Sequence, residues 1–221
     1  SSDDTLAILL ERFRMRRTER GFDSHIPCKP ILAVYESAEF PNLVAVDKRN
    51  GGKGDAQNAG INVSRYPLFC TIDGDSLLEE DALLRVARPF HDYPGQIVAT
   101  GGTIRIANGS LVRAGRITDA RLAHALLPRI QAVEYLRAFL FGRMGWSSFG
   151  GLLLISGAFG IFDKQVVVEA GGYATDSVGE DMELVIRVHR VLRDRGRSYR
   201  IGFVPEPVCW TEAPESLRVL G

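Results

Sequence analysis

Hydrophobic and polar positions alternate along this chain in two rhythms that change from segment to segment. Leu6, Leu9, Leu10 and Phe13 recur at i, i+3, i+4 and i+7, with Asp3 or Asp4 as caps and a basic end from Arg14 to Arg20. That spacing predicts an amphipathic helix whose basic tail is solvated and matched to the helix dipole. Apolar runs at 31–37 and 43–48 predict strands, the Asn50-Gly51-Gly52 turn follows, and 55–63 predicts a short helix. LFCTID, residues 68–73, is almost continuously apolar, as a buried central strand would be, and leads into Asp73-Gly74-Asp75. Ser76 and Glu79 have capping-box spacing, so the next helix is expected to start between Ser76 and Asp81. Beyond it, 97–108 predicts a strand pair or one bent strand, 129–144 a helix, and 155–162 a glycine-bearing strand. A helix over 180–195 stops at Gly196, and strands near 200–204 and 208–211 close the series. This alternation, without repeats or a low-complexity linker, predicts a single α/β domain over 1–221, a sheet with crossover helices.

Composition narrows the function classes. The 221 residues are 45% hydrophobic and 24% charged, which excludes disordered, collagenous and coiled-coil chains. Lys+Arg and Asp+Glu balance at 27 each, so no field of one sign draws a polyanion, and nucleic acid is not an expected partner. Cys28, Cys70 and Cys209 are odd in number and widely spaced, and the four histidines share no ligand spacing; neither a disulfide framework, a zinc site nor a hydrolytic triad is indicated. The apolar stretch from Phe149 to Phe162 is 14 residues long, short of the roughly 20 needed to span a bilayer. The segment 135–155, with Trp146 and several phenylalanines, fits either a bilayer surface or the domain core. The chain opens Ser-Ser-Asp-Asp-Thr and ends after SLRVL, and reads as a piece of a longer protein.

Four constellations carry chemistry. Asp73 and Asp75 flank a glycine after a strand, where two carboxylates can hold a hard divalent ion that a diphosphate also ligates; Asp-Gly is equally a common turn. Glu180 and Asp181 start a helix, where one can serve as a base or both can simply satisfy the helix terminus. Gly52 and Lys53, with Asp55 and Asn58 behind them, make a glycine turn presenting a lysine, without Walker or GxGxxG spacing. Ser156 and Gly157, and Trp210, offer small or aromatic surface to a sugar, or ordinary core packing.

Taken in order, NGGKGDAQNAG, CTIDGDS, ISGAFGIF, GEDMEL and PVCWTEAP resemble glycosyltransferase family 2, and most closely its processive, membrane-associated polysaccharide synthases. The resemblance implies a GT-A fold, Rossmann-like, with a mixed, mostly parallel sheet flanked by helices, truncated at its N-terminus. It implies Asp73 near the nucleotide, Asp75 on a divalent metal (Mg or Mn), and Asp181 as the base that deprotonates the acceptor. Lys53, Gly52 and Asn58 fall in the nucleotide-binding loop; Ser156, Gly157, Glu180 and Trp210 fall at the acceptor site. The partners implied are a nucleotide diphosphate sugar, usually of UDP, and a saccharide or lipid-linked acceptor. A parent with transmembrane helices at the cytosolic face of a membrane is implied as well. The family's first strand and its QxxRW motif are missing, so weak or no turnover is expected from these residues alone. A sugar nucleotidyltransferase and an inactive binding relic are the competing readings.

Overall fold

The computed structural model describes residues 4–177 and 179–216. In chain order these form α1 (Thr5–Arg12), β1 (Met15–Thr18), β2 (Ile31–Ser37), β3 (Val44–Lys48), α2 (Lys53–Val63), β4 (Leu68–Ile72), β5 (Leu77–Leu78) and α3 (Ala82–Asp92). There follow β6 (Ile97–Ile106), β7 (Leu111–Arg113), β8 (Arg116–Asp119), α4 (Leu126–Leu136), a π-helical stretch (Arg137–Arg143) and α5 (Met144–Ser148). The described part ends with β9 (Phe159–Asp163), α6 (Lys164–Glu169), α7 (Glu180–Asp194) and β10 (Arg200–Thr211).

The expected mixed sheet is present, in the order β4-β9-β6-β10-β5. β6 and β10 run parallel; every other pair of neighbours is antiparallel. Three strands therefore point one way, but neighbour contacts are mostly antiparallel because β9 enters between β4 and β6. Strand alternation divides the core into two layers. Phe159 and Ile161 face Ala82 and Val86 of α3, whereas Phe162 joins Leu184, Val185, Val188 and Leu192 of α7. β1, β2 and β3 form a separate antiparallel sheet, and β7–β8 a hairpin.

Several local expectations change. The basic run after α1 is not a helical tail: α1 ends at Arg12, Arg14 turns with φ 48°, and Met15–Thr18 pairs antiparallel with β2. β4 is an edge strand, because the described residues put no strand beside it except β9. The Ser76–Glu79 capping box does not form: Leu77–Leu78 pairs with β10, α3 starts at Ala82, and the Glu79 carboxylate is taken by Trp210. The strand expected at 155–162 begins only at Phe159. Strands 200–204 and 208–211 are one strand, β10, whose register slips between Val204 and Cys209 because Pro205 and Pro207 cannot donate to the ladder. The expected helices at α2 and α7 are present, and Gly196 (φ 64°) closes α7.

The apolar stretch 135–155 divides: Phe139, Leu152 and Ile155 are buried, while Trp146, Phe149 and Leu153 are exposed. Among the described residues no helix is long and apolar enough to cross a membrane.

Candidate functional site

The Asn50–Lys53 turn is built to hold its shape without a ligand. Gly52 caps α2 at φ 88°, a left-handed conformation that favours glycine, and its N–H donates to Asn50 Oδ1 at 3.1 Å. Gly51 passes so close to Asp55 that a Cβ would sit 2.4 Å from its Oδ2. Asp55 is itself buried; it accepts from the Lys29 N–H at 2.7 Å and pairs with Lys48. Burial pushes the Asp55 carboxyl upward, but the hydrogen bonds and charges of Lys48 and Lys29 outweigh it and hold the group below the usual carboxylate range. Because the folded-state value is depressed, the pair's contribution is present above the unfolded value of about 4 and is lost as pH falls through the lower folded value. Lys48→Met, which strands a buried carboxylate, is expected to cost about 3 kcal/mol. Denaturant melts of the two proteins across the acidic range check this, with the difference shrinking at low pH.

Lys53 leaves this turn and reaches into an acidic cluster. Its Nζ lies 2.6 Å from Asp73 Oδ1, beyond the end of β4, and 3.8 Å from Glu180 Oε1 at the start of α7. The next residue, Asp181, accepts from the Gly157 N–H at 2.9 Å through Oδ2 and from the Met182 N–H at 2.8 Å through Oδ1. Gly157 packs closely here: a Cβ would sit 3.1 Å from Lys53 Nζ, the end of a flexible side chain, and 3.5 Å from Asp181 Oδ2. Four chain segments thus meet: the α2 N-terminus, the end of β4, the turn before β9 and the N-terminus of α7. The α7 terminus brings free N–H groups towards three acidic residues, Glu180, Asp181 and Glu183.

Asp75 is exposed and forms no hydrogen bond or ion pair among the described residues. Among the described residues no group of three or more His, Cys, Asp or Glu side chains assembles as a complete metal cage. Asp73 and Asp75 nonetheless fit a hard divalent ion that takes one or two protein carboxylates and its remaining oxygens from a phosphate ligand and water.

The other expected site residues make contacts of their own. Asn58 is buried; its amide donates to Tyr173 O at 2.9 Å and accepts from Tyr173 N–H at 2.7 Å, so its polar ends tie α2 to the segment after α6. The Ser156 hydroxyl accepts from Ala158 N–H at 3.4 Å within the Gly157 turn. Trp210, on β10, donates from Nε1 to Glu79 Oε1 at 2.6 Å, carries Arg105 5.6 Å from its ring, and lines a cavity of about 330 Å3 with Ile104, Tyr135 and Leu136.

Arg143, which sequence reasoning passed over, lies within electrostatic reach of Asp181. Its guanidinium lies 3.8 Å from the centre of the Phe139 ring. Burial weakens its hold on its proton, and the charge of Asp181 opposes that effect. It forms no ion pair among the described residues. The signal in the sequence was slight: one arginine closing the apolar run Ala138–Gly142. Lys53 and Arg143 thus bring two cations towards three carboxylates, Asp73, Glu180 and Asp181.

Comparison with known proteins places this arrangement in a family. The curated relatives it matches include poly-β-1,6-N-acetyl-D-glucosamine synthases from Staphylococcus aureus, 29% identical over 185 residues, and from Staphylococcus epidermidis, 27% identical over 185 residues. Each match covers 83% of this chain but 40% of the relative. Among solved structures, a mannosyltransferase from Pyrobaculum calidifontis in complex with GDP-mannose and Mn2+ aligns with TM-score 0.48 and 16% identity, over 77% of this chain and 39% of that one. Residues 68–219, from the start of β4 onward, match the glycosyl transferase family group 2, and the chain belongs to that family.

Proposed function

We propose that the cluster around Lys53, Asp73, Asp75 and Asp181 transfers a sugar, with inversion, from a nucleotide diphosphate sugar to a hydroxyl of a saccharide or lipid-linked acceptor. The donor we propose is a UDP-sugar, and the setting the cytosolic face of a membrane, within a longer membrane-embedded protein. The observation that carries this reading is the convergence of Lys53, Asp73, Gly157, Glu180 and Asp181 from four segments within hydrogen-bond or ion-pair range.

A carboxylate fixed by two backbone N–H groups keeps lone pairs free for an acceptor hydroxyl. Asp181 takes that proton as the acceptor oxygen forms its bond to the anomeric carbon, and the bond from that carbon to the diphosphate breaks, the oxygen leaving with the electron pair. Displacement from the opposite face inverts the configuration. Lys53, already at the centre of the carboxylates, meets the departing diphosphate as a point charge. Asp73 and Asp75 would hold a divalent ion, which would supply further charge to offset the diphosphate. Gly157 keeps the floor between Lys53 and Asp181 open.

The parent protein is to be incubated with Mn2+ and a panel of nucleotide diphosphate sugars, with released nucleotide and product linkage followed by NMR. Release of UDP with an inverted linkage is the expected result. Release of inorganic pyrophosphate in a parallel incubation with UTP and a sugar 1-phosphate would favour nucleotidyl transfer, and binding without turnover of any donor would favour a relic.

A further inference from the structure

Residues 151–156 run without regular structure from the end of α5 towards the Gly157 turn, whose N–H Asp181 accepts. A second hydrogen bond ties this strap to α7: His189 Nε2 lies 2.8 Å from Leu152 O. A carbonyl oxygen only accepts, so this nitrogen carries a proton, and Nδ1 of the uncharged ring accepts from the Tyr199 hydroxyl at 2.6 Å. His189 is 5% exposed, and Leu152 and Ile155 of the strap pack in one core cluster with Leu184, Val185, Val188 and Leu192 of α7. An imidazole with both nitrogens engaged in such a core keeps one orientation.

Reach decides what that bond does. Asp181 and His189 are eight residues apart on α7, about 12 Å along the helix axis. The five residues from Leu152 to Gly157 span about 17 Å when fully extended, so chain length alone leaves the turn slack. Anchoring Leu152 to α7 removes that slack, because the helix that carries Asp181 then also fixes the far end of the strap that binds it. An apolar side chain would fill the same space, but would leave the Leu152 carbonyl without its donor. We propose that His189 is a positioning residue: it sets the Gly157 turn against Asp181 and so aims the free lone pairs of that carboxylate at the acceptor hydroxyl. The proposal rests on the transferase reading and deepens it.

In the parent protein, His189→Asn keeps an acceptor for Tyr199 but is too short to reach Leu152 O, whereas His189→Gln can place its amide N–H there. The result expected for His189→Asn is a fall in kcat of about tenfold, with donor KM and Mn2+-dependent UDP binding within about twofold of the parent. His189→Gln should recover kcat to within about threefold of the parent. In an Asp181→Asn background, His189→Asn should cost less than about twofold more, since the group it aims is gone. His189→Phe, which retains the bulk of the ring without the donor, takes the place of His189→Asn if that variant does not fold. Amide exchange over residues 152–158, read by mass spectrometry, needs no turnover. Exchange at Gly157 about tenfold faster in His189→Asn, and at the parental rate in His189→Gln, is expected. These exchange changes in a parent protein that transfers no sugar would sink the transferase reading and keep the strap. An equal loss of kcat with and without Asp181, a loss of UDP binding that matches the loss of kcat, or unchanged exchange at Gly157 would each overturn the proposal.

Discussion

Asp181→Asn in the parent protein is expected to lower kcat by about a thousandfold while leaving donor binding within a factor of about two. The amide keeps the shape of the side chain but, with a single oxygen, can accept only one of the two N–H bonds, from Gly157 or from Met182, that hold the carboxylate. It cannot take a proton from an acceptor hydroxyl. The loss therefore falls on the chemical step, and pre-steady-state release of nucleotide, compared with calorimetric titration of the nucleotide, separates the two effects. An equal loss in binding would mean that Asp181 serves chiefly to brace the Gly157 turn.

Asp75→Asn is expected to raise the Mn2+ concentration for half-maximal rate by about a hundredfold. The exposed Asp75 makes no hydrogen bond or ion pair among the described residues, so its removal leaves no buried partner orphaned and the fold unchanged. Asp73, by contrast, is held by Lys53 at 2.6 Å, and replacing it would also release the lysine. This difference makes Asp75 the cleaner probe of metal dependence. Rate against Mn2+ concentration for the two proteins, at saturating donor, is the check; superimposable curves would remove Asp75 from any metal role.

The parts of this architecture that were legible in the sequence are those set by local chemistry. Lys53–Val63 and Glu180–Asp194 announce themselves by glycine turns and helical periodicity, and the acidic residues at the start of α7 sit where a helix terminus favours them. The pair at Asp73 and Asp75 was legible because a strand of apolar residues ends there. What was illegible depended on partners distant in the chain. LFCTI reads as central because its composition suits burial on both faces, yet composition says nothing of which strand lies on each edge. The Ser76–Glu79 spacing suited a capping box, but pairing with β10 and the Trp210 indole claimed those residues first. Asn58 looked like a loop ligand because its neighbours are Gly52 and Lys53; its carbonyl and amide are instead spent on Tyr173, 115 residues away. Arg143 acquires meaning only when the helical path from α4 brings it beside Phe139 and within reach of the charge on Asp181.

The most direct test is calorimetric titration of UDP into the parent protein and its Asp75→Asn and Asp181→Asn variants, each with and without Mn2+. Manganese-dependent binding by the parent and by Asp181→Asn, and its loss in Asp75→Asn, is the result predicted for a diphosphate held beside a separate base. Folded protein that ignores UDP and Mn2+ alike, or an Asp75→Asn variant that binds as the parent does, would contradict it.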